Sequence, residues 1–217
     1  MLIEERTSAL ASLLECQTDV AARLAAAMSD ERIDRQRIIA HQGDVCDGCW
    51  IVVDGSVQIR LIGIEGQINL LNTYGPGEMF GAYPAPVVHR AEVYAYSKLH
   101  MLHISSATLW RLAQEHSGIG SGISKLLAKQ LDGVLDRLAE RITLTATGRI
   151  HAELLRLAND DDVIAQMPLV AGLALSVQTT RETASRALNA LERRGVIRRD
   201  GRRIEIVSRR MLEDLVV

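Results

Sequence analysis

The stretch from Leu175 to Val207 carries the side chains best suited to recognise another molecule by hydrogen bonds. At about 100° of rotation per residue, its centre divides into two helical arcs. One arc is polar and the other is apolar; they contain Arg181, Glu182, Ser185, Arg186 and Asn189, and Ala184, Ala187, Leu188 and Leu191, respectively. Arginine donates two hydrogen bonds to guanine O6 and N7, and glutamate accepts one from cytosine N4. The pattern predicts a helix that packs by one arc and reads base edges with the other.

The flanking residues predict the elements that would position this helix. Residues 169–174 are expected to form a preceding helix, residues 176–179 a turn, and residues 180–194 the reading helix itself. Gly195 stands where a left-handed residue ends a helix. Two strands, 196–199 and 203–207, follow and are joined across Asp200-Gly201, which is a strong hairpin-turn dipeptide. Together they indicate a winged helix-turn-helix.

Phosphate contacts are expected around the base-reading residues. Thr179 and Thr180 at the helix start, and Arg202 and Arg203 on the wing, are placed to hold the backbone of a duplex. Glu182 has an alternative role, because Thr179-x-x-Glu182 is also a capping-box pattern in which the carboxylate turns back to the main chain. Base reading is favoured for Glu182 because it lies among the residues of the polar arc.

The distribution of charge supports a polyanionic partner for the C-terminal part. The whole chain of 217 residues has a formal charge of −2, but residues 1–142 hold 13 Lys+Arg against 17 Asp+Glu, and residues 143–217 hold 12 against 10. Ten arginines and four acidic residues fall between Arg181 and Arg210. With one Phe and two Trp, the chain has little with which to stack single-stranded bases, so double-stranded DNA is the expected partner.

The sequence also indicates the cellular compartment in which the protein is expected. No run approaches the roughly 18 apolar residues of a membrane span, and the acidic start is unlike a signal or transit peptide. Three cysteines argue against a disulfide framework and fit a reducing compartment. We expect a cytoplasmic protein without a membrane partner.

The rest of the chain predicts an α+β fold. Residues 1 to about 30 have helical spacing, and residues 37–104 contain short β-rich runs separated by glycine-containing turns, which indicates a β-barrel or jelly roll. These turns include Gly43-Asp44, Asp54-Gly55, Glu65-Gly66 and Gly75-Pro76-Gly77. The predicted domains are a barrel at 1–118, a long helix at 119–142 and the winged module at 143–217.

The long helix carries a short apolar seam at Leu127, Leu131, Val134 and Leu138. Its spacing of four, three and four residues fits either a helix packed on its own barrel or a two-stranded coiled coil that forms a homodimer. A dimer would also present two reading helices to two half-sites one turn of DNA apart.

With these pieces in place, the sequence resembles the CRP/FNR family of bacterial transcription regulators along nearly all its length. The matching runs are His41-Gln42-Gly43-Asp44, Asp54-Gly55-Ser56-Val57, Gly77-Glu78-Met79-Phe80-Gly81, Thr147-Gly148-Arg149-Ile150 and Thr180-Arg181-Glu182-Thr183-Ala184-Ser185-Arg186. The resemblance implies a cyclic-nucleotide-binding-type barrel, a long dimerisation helix, a winged helix-turn-helix and RNA polymerase as a further partner.

The family also implies a DNA site. Its cAMP-responsive members read a GTGA-containing half-site with residues that match Arg181, Glu182 and Arg186, and its oxygen-responsive members use residues that match Glu182, Ser185 and Arg186. This chain has both sets. We expect a palindromic site with TGA in each half and leave the preceding base open.

The sensor part departs from the cAMP pattern. In the family, a Glu for the ribose, a short helix and Arg-Ser for the phosphate follow the glycine that matches Gly81. Here Ala82 follows, Pro84 and Pro86 disfavour the short helix, and His89-Arg90 stands at the Arg-Ser position. The positions that contact adenine through hydroxyls hold Val134 and Leu135. An effector pocket at Gly81, Ala82, His89, Arg90, Val134 and Leu135 is therefore not expected to bind cAMP, although Arg90 could take the phosphate in a shifted register.

Other sensor chemistries have weaker support. An iron–sulfur relative needs a cysteine cluster near the N-terminus, where only Cys16 stands, so such a cluster is not expected. Cys46 and Cys49 have metal or redox spacing, and His89 could bind haem or a metal, which leaves a redox, metal or haem sensor as the alternative. No general base accompanies the cysteines at a recognisable spacing, so we expect no catalytic residues, no metal site and no enzymatic activity.

Overall fold

The computed structural model describes residues 1–63, 66–165 and 167–217, so Glu65 of one predicted turn lies outside the described residues. They group into two compact units, Met1–Val134 and Leu135–Val217. The division falls within one long helix, and the three domain ranges given above stay predictions.

The first unit is built mainly of short antiparallel strands. One sheet has the order β1-β10-β4-β7, a second has the order β2-β9-β5-β6, and β3 pairs with β8. The strands are β1 (Ser29–Ile33), β2 (Arg37–Ala40), β3 (Val45–Cys46), β4 (Gly48–Asp54), β5 (Val57–Ile62), β6 (Ile68–Tyr74), β7 (Met79–Gly81), β8 (Val87–Val88), β9 (Glu92–Ala95) and β10 (Leu99–Ser105). Non-consecutive neighbours in both four-stranded sheets give a jelly-roll arrangement, which confirms the predicted fold class.

The predicted turn after β4 contains Gly55, a position where no side chain fits. Gly55 has a φ of +90°, and a Cβ atom there would lie 2.1 Å from the carbonyl oxygen of Lys98. Only glycine satisfies both the backbone angle and the close approach, so β4 can reverse into β5 beneath the β9–β10 turn.

Two apolar layers hold the first unit together. Val52, Val57, Val93 and Met101 pack between the two sheets. The other face of the first sheet packs against helices, because alternate residues of β4 and β10, such as Ile51 and Ile104, point that way. These helices are α1 (Ile3–Leu14), α2 (Thr18–Ala27), α3 (Ser106–Glu115) and the start of α4 (Ser117–Thr143).

Helix α4 leaves a row of apolar side chains exposed. Leu131 is 57% exposed and Leu138 is 49% exposed, whereas Ile119, Ile123 and Leu126 near the helix start are buried. The seam predicted from the sequence is therefore uncovered in the single chain, which is unusual for six large apolar residues on one helix. These are Leu127, Leu131, Val134, Leu135, Leu138 and Ile142.

The second unit contains a three-helix core with a small sheet. Its elements are α5 (Ala146–Leu157), β11 (Val163–Ile164), α6 (Val170–Ser176), α7 (Arg181–Arg193), β12 (Ile197–Asp200), β13 (Arg203–Ile206) and α8 (Arg209–Glu213). The two helices and two wing strands predicted within residues 169–207 are present within two residues of their expected bounds. The sheet has the order β11-β13-β12, and β11 was not predicted. Within the described part of the chain, no helix is long and apolar enough to cross a membrane.

His151 in α5 is a buried titratable side chain in the core of the second unit. It is 5% exposed, and its Nδ1 lies 2.9 Å from the carbonyl oxygen of Leu215. Burial lowers the pKa of His151 below its usual 6.5. The unfolded chain therefore binds a proton near pH 6 that the folded chain does not, and stability falls as the pH drops through that range, by at most about 1.4 kcal/mol per pH unit.

We expect hydrogen exchange in residues 146–157, corrected for the intrinsic rate, to show lower protection at pH 5.5 than at pH 7.5. His151→Gln should flatten this dependence, because glutamine does not titrate. A variant whose protection changed with pH as much as that of the original chain would show that His151 is not the group responsible.

Candidate DNA-binding surface and effector cavity

Helix α7 presents two faces that differ as the sequence predicts. Ala184, Ala187, Leu188 and Leu191 are buried in the core of the second unit. Their burial leaves the opposite face outward, where Arg181, Glu182 and Arg186 are exposed. The apolar arc fixes the helix and thereby fixes which side chains face outward.

The ends of α7 are defined by a threonine cap and a glycine stop. Thr180 is the N-cap residue, and its Oγ1 accepts a hydrogen bond from the Thr183 amide at 3.1 Å. Gly195 has a φ of +69°, and its amide donates to the carbonyl of Glu192 at 3.0 Å. The cap therefore uses Thr180 and Thr183 rather than the Thr179-x-x-Glu182 box, which leaves the Glu182 carboxylate outside the capping interaction.

Glu182 and Arg186 form a loose pair one turn apart. Their closest charged atoms are 3.8 Å apart, and the side chains are 78% and 71% exposed. An exposed pair of this kind contributes little to stability, so either group can exchange its partner for a base edge. Ser185 and Thr179 are half-buried, and Thr180 is exposed.

The tip of the wing is anchored through Arg202. Its Nε donates to the Met167 carbonyl at 2.9 Å, and the Met167 amide donates back to the Arg202 carbonyl at 2.7 Å. One edge of the guanidinium is thus engaged while the residue stays exposed, as does Arg203. Both cations can face a phosphate.

Arg199 links the wing to the reading helix, a role that sequence reasoning missed. From β12, its Nε donates to Glu192 Oε2 at 2.9 Å and its NH2 group donates to Asn189 Oδ1 at 2.7 Å. This ion pair lowers the pKa of Glu192. Because Asn189 belongs to the polar arc, the contact fixes the wing against the reading face. In the sequence, the one feature that could have indicated this contact is the pair of opposite charges seven residues apart, at 192 and 199.

Arg199→Met should release the wing and weaken binding to every duplex by a similar factor, about five- to thirty-fold, from the loss of charge-assisted hydrogen bonds worth about 1–2 kcal/mol. The ratio of specific to random affinity should stay within about two-fold. Fluorescence anisotropy on a specific and a scrambled duplex measures both quantities.

Arg198→Met is the matched control, because it removes the same charge one residue away. Arg198 is 70% exposed and, among the described residues, pairs only with Glu205 across the hairpin, at 3.0 Å. If the two variants behaved alike, the loss would come from net charge and not from the position of the wing.

Arg149 holds the turn between α6 and α7. Its guanidinium donates to the carbonyls of Val177 at 2.9 Å, Leu144 at 3.0 Å and Gln178 at 3.3 Å. It therefore satisfies carbonyl groups at the end of α6 that have no partner within that helix. In the sequence, Arg149 is notable only as part of the run Thr147-Gly148-Arg149-Ile150. Its role in holding this turn could not be predicted from that run.

A cavity of about 280 Å³ opens at the edge of the first unit, beside β6, β7 and α4. Two of the six residues assigned to an effector pocket, Gly81 and Val134, line it. The other four do not take part in the lining. Ala82 is fully buried, and its carbonyl accepts hydrogen bonds from Cys49 Sγ at 2.7 Å and Ser106 Oγ at 2.6 Å.

His89 and Arg90 lie in the segment between β7 and β9, and Leu135 belongs to the second unit. The backbone of His89 pairs with Gly43 and Asp44 beside the β3–β8 ladder, with its N–H 2.9 Å from the Asp44 carbonyl. Arg90 is exposed. Residues 82–91 are all described and contain no helix, as the two prolines predict.

The cysteines and histidines of the first unit have structural surroundings. Burial raises the pKa of the Cys46 thiol, and it raises that of Cys49 to about 12, so both thiols stay protonated at neutral pH. His100 and His103 pair separately with Asp30 and Glu31 on β1. Over the ranges that the structure describes, no three His, Cys, Asp or Glu residues come together as a metal site. These contacts do not favour the redox or metal alternative.

The two units together define a class of protein in which a jelly-roll sensor accompanies a winged helix-turn-helix. Residues 30–116 match the model of the cyclic nucleotide-binding domain, and residues 148–215 match that of the Crp-like helix-turn-helix domain. The chain belongs to the CRP/FNR family of transcription regulators.

Similar proteins agree with this assignment. The CRP-like cAMP-activated global transcriptional regulator of Mycobacterium tuberculosis is 25% identical over 183 residues, which are 79% of this chain and 81% of that protein. FixK2 from Bradyrhizobium japonicum has the same fold, with a TM-score of 0.78 at 21% identity over 88% of this chain and 98% of that one.

A second group of relatives is much longer. Lysophospholipase nte1 of Aspergillus terreus is 28% identical over 171 residues, which cover 76% of this chain. The chain spans about 10% of the length of this enzyme and of the next two lysophospholipases that it matches.

Proposed function

We propose that this regulator binds as a homodimer to a palindromic DNA site with TGA in each half. The observation that carries the proposal is the outward row Arg181, Glu182 and Arg186 on a helix whose other face is buried. A carboxylate and two guanidinium groups on one exposed helical face match the donors and acceptors of C·G and G·C pairs in the major groove. Thr179, Thr180, Ser185 and Arg202 are proposed to complete the contacts with bases and phosphates.

The homodimer is proposed from the exposed seam of α4. Two copies of this face could bury their apolar side chains against each other and present two α7 helices to half-sites one turn of the duplex apart. RNA polymerase as a further partner and a cytoplasmic location are part of the same proposal. RNA polymerase is proposed from membership of the family, and the cytoplasmic location is proposed from the three cysteines that form no disulfide.

We also propose that the effector site does not take cAMP and that the chain is not an enzyme. The segment between β7 and β9 has no helix N-terminus to receive a phosphate, and no Lys or Arg is among the described residues that line the cavity. The lysophospholipase match leaves most of that enzyme outside the alignment, whereas the regulator of Mycobacterium tuberculosis is matched over most of its length.

The experiment that tests the DNA proposal selects duplexes from a random pool with the purified full chain. Enrichment of a palindrome with TGA in each half is the expected result. Enrichment of a sequence without dyad symmetry, or of none, would overturn it.

Adding cAMP at millimolar concentration should change the affinity for the selected duplex by less than about two-fold, because a buried phosphate without a cation is costly. Fluorescence anisotropy with and without cAMP measures this effect. The cAMP-activated regulator of Mycobacterium tuberculosis serves as the positive control for the nucleotide. A large cAMP-dependent gain would show that Arg90 or another cation reaches the ligand.

A further inference from the structure

The cavity beside β6, β7 and α4 has an uncharged lining. Among the described residues that line it, none is Lys, Arg, His, Asp or Glu. Its volume of about 280 Å³ lies just below the range of about 300–1,000 Å³ that is typical of small-molecule sites. The size fits a ligand of one or two rings.

Three main-chain groups beside the cavity, the Met79 amide, the Met79 carbonyl and the Ala82 amide, are already engaged in hydrogen bonds. Gln130 on α4 accepts from the Met79 amide at 3.1 Å and donates to the Met79 carbonyl at 2.9 Å. The Ala82 amide donates to the Gly48 carbonyl at 2.8 Å. An anionic ligand that entered the cavity would lose hydrogen bonds to water. Neither a cationic side chain nor these backbone N–H groups would be available to replace them.

Three aromatic residues, Tyr74, Phe80 and Tyr83, line the cavity, and Trp50 and Trp110 pack against them. Tyr74 stacks on Phe80 with centroids 5.7 Å apart, and Phe80 stacks on Trp50 with centroids 5.5 Å apart. Tyr83 meets Trp110 edge-on at 5.9 Å. The aromatic surface that a ligand can reach therefore belongs to Tyr74, Phe80 and Tyr83, against which an aromatic ligand packs favourably.

Two tyrosine hydroxyls remain to orient a ligand. Within the described residues, the hydroxyls of Tyr74 and Tyr83 have no hydrogen-bond partner, and burial raises the pKa of Tyr83, which keeps it protonated as a donor. A bound molecule with one or two polar atoms could use them.

We propose that this cavity binds an uncharged, ring-containing small molecule and that this class of compound is the effector. The inference rests on the proposed function, in which the cavity is the sensor site. It commits to a neutral ligand because the lining combines aromatic faces and neutral hydroxyls with no charged side chain.

The test uses a matched pair of probes on the full-length protein. Fluorine NMR follows 5-fluoroindole, which is neutral, and 5-fluoroindole-2-carboxylate, which has the same ring system with a negative charge at pH 7.5. We expect saturable binding of the neutral probe at one site per chain, at least ten-fold tighter than that of the carboxylate. Equal or tighter binding of the carboxylate would overturn the proposal, as would displacement of the neutral probe by cAMP.

Two variants locate the site. Asn72→Trp fills the cavity from β6 and lies outside the apolar seam of α4. Val134→Trp fills it from α4, where Val134 is 41% exposed. Because Val134 also belongs to that seam, sedimentation velocity must show that this variant keeps the oligomeric state of the original chain. Each should weaken 5-fluoroindole binding at least ten-fold, while the control Ala139→Trp, outside the cavity, should not. Binding that survives both fillings would place the probe elsewhere and defeat the proposal.

Failure of this inference can be told apart from failure of the proposed function. Recognition of the palindrome is measured on ligand-free protein, and probe binding is measured without DNA. If the chain selected the TGA palindrome but bound no neutral probe, the proposed DNA site would stand. Only the proposed class of ligand would be contradicted.

Discussion

Arg186→Ala should remove specific DNA binding while leaving weak binding to random duplexes. Arg186 is 71% exposed on α7, and its one charged partner among the described residues is Glu182 at 3.8 Å, so the truncation disturbs no packed contact. A lost bidentate contact with guanine costs about 1–3 kcal/mol, and a homodimer loses it in both half-sites. The expected loss on the palindrome is therefore about thirty-fold to ten-thousand-fold, since about 1.4 kcal/mol corresponds to a factor of ten.

The measurement is fluorescence anisotropy on the palindrome and on a scrambled duplex over a range of salt concentrations. Arg202→Ala is the matched control, because it removes the same side chain from the wing, where one guanidinium edge is already bound to Met167. It should weaken both duplexes alike and reduce the salt slope by about one per half-site. An equal loss on both duplexes from Arg186→Ala would contradict base reading by this residue.

The sequence predicts α7 well because the information is local. Apolar residues with helical spacing, a threonine cap and Gly195 are all within one short stretch, and the buried Ala184, Ala187, Leu188 and Leu191 correspond to the predicted arc. The hairpin of β12 and β13 follows from Asp200-Gly201 for the same reason. Local signals are enough to predict an element when its own periodicity and its two end residues define it.

What the sequence could not predict depends on contacts between distant residues. Strand β11 has two residues and exists because Val163 pairs with Glu205 and Ile164 pairs with Ile204. Arg199 reaches Glu192 only after the hairpin folds back onto α7. Neither a two-residue strand nor a side-chain contact across a turn leaves a periodic pattern.

The effector cavity illustrates the same limit. Motif matching led to Gly81 and Val134, which line it, but also to Ala82, which is fully buried beneath Cys49 and Ser106. The aromatic wall depends on which residues of β6 and β7 face inward. Strand bulges such as the one at Ile59/Arg60 shift that alternation. Motif matching therefore gave two of the residues that line this cavity and did not identify its aromatic lining.

Leu138→Arg on α4 should convert the dimer into a monomer and with it abolish tight binding to the palindrome. Leu138 is 49% exposed in the single chain and lies outside the effector cavity, so an arginine there disturbs neither a folded core nor that site. In a two-stranded coiled coil the same position is buried against its copy, where two unpaired guanidinium groups would lose their water and repel each other.

A monomer engages one half-site at a time, so affinity for the palindrome should fall by at least about a hundred-fold, because the second half-site no longer gains from effective concentration. Sedimentation velocity gives the oligomeric state, and anisotropy gives the affinity. Asp136→Arg is the control: it places the same side chain on α4 two residues earlier, about 160° around the helix from Leu138 and opposite the apolar row. It should remain dimeric and bind the palindrome normally. If both variants stayed dimeric, the interface would lie elsewhere on the chain, and the exposed seam of α4 would need another partner.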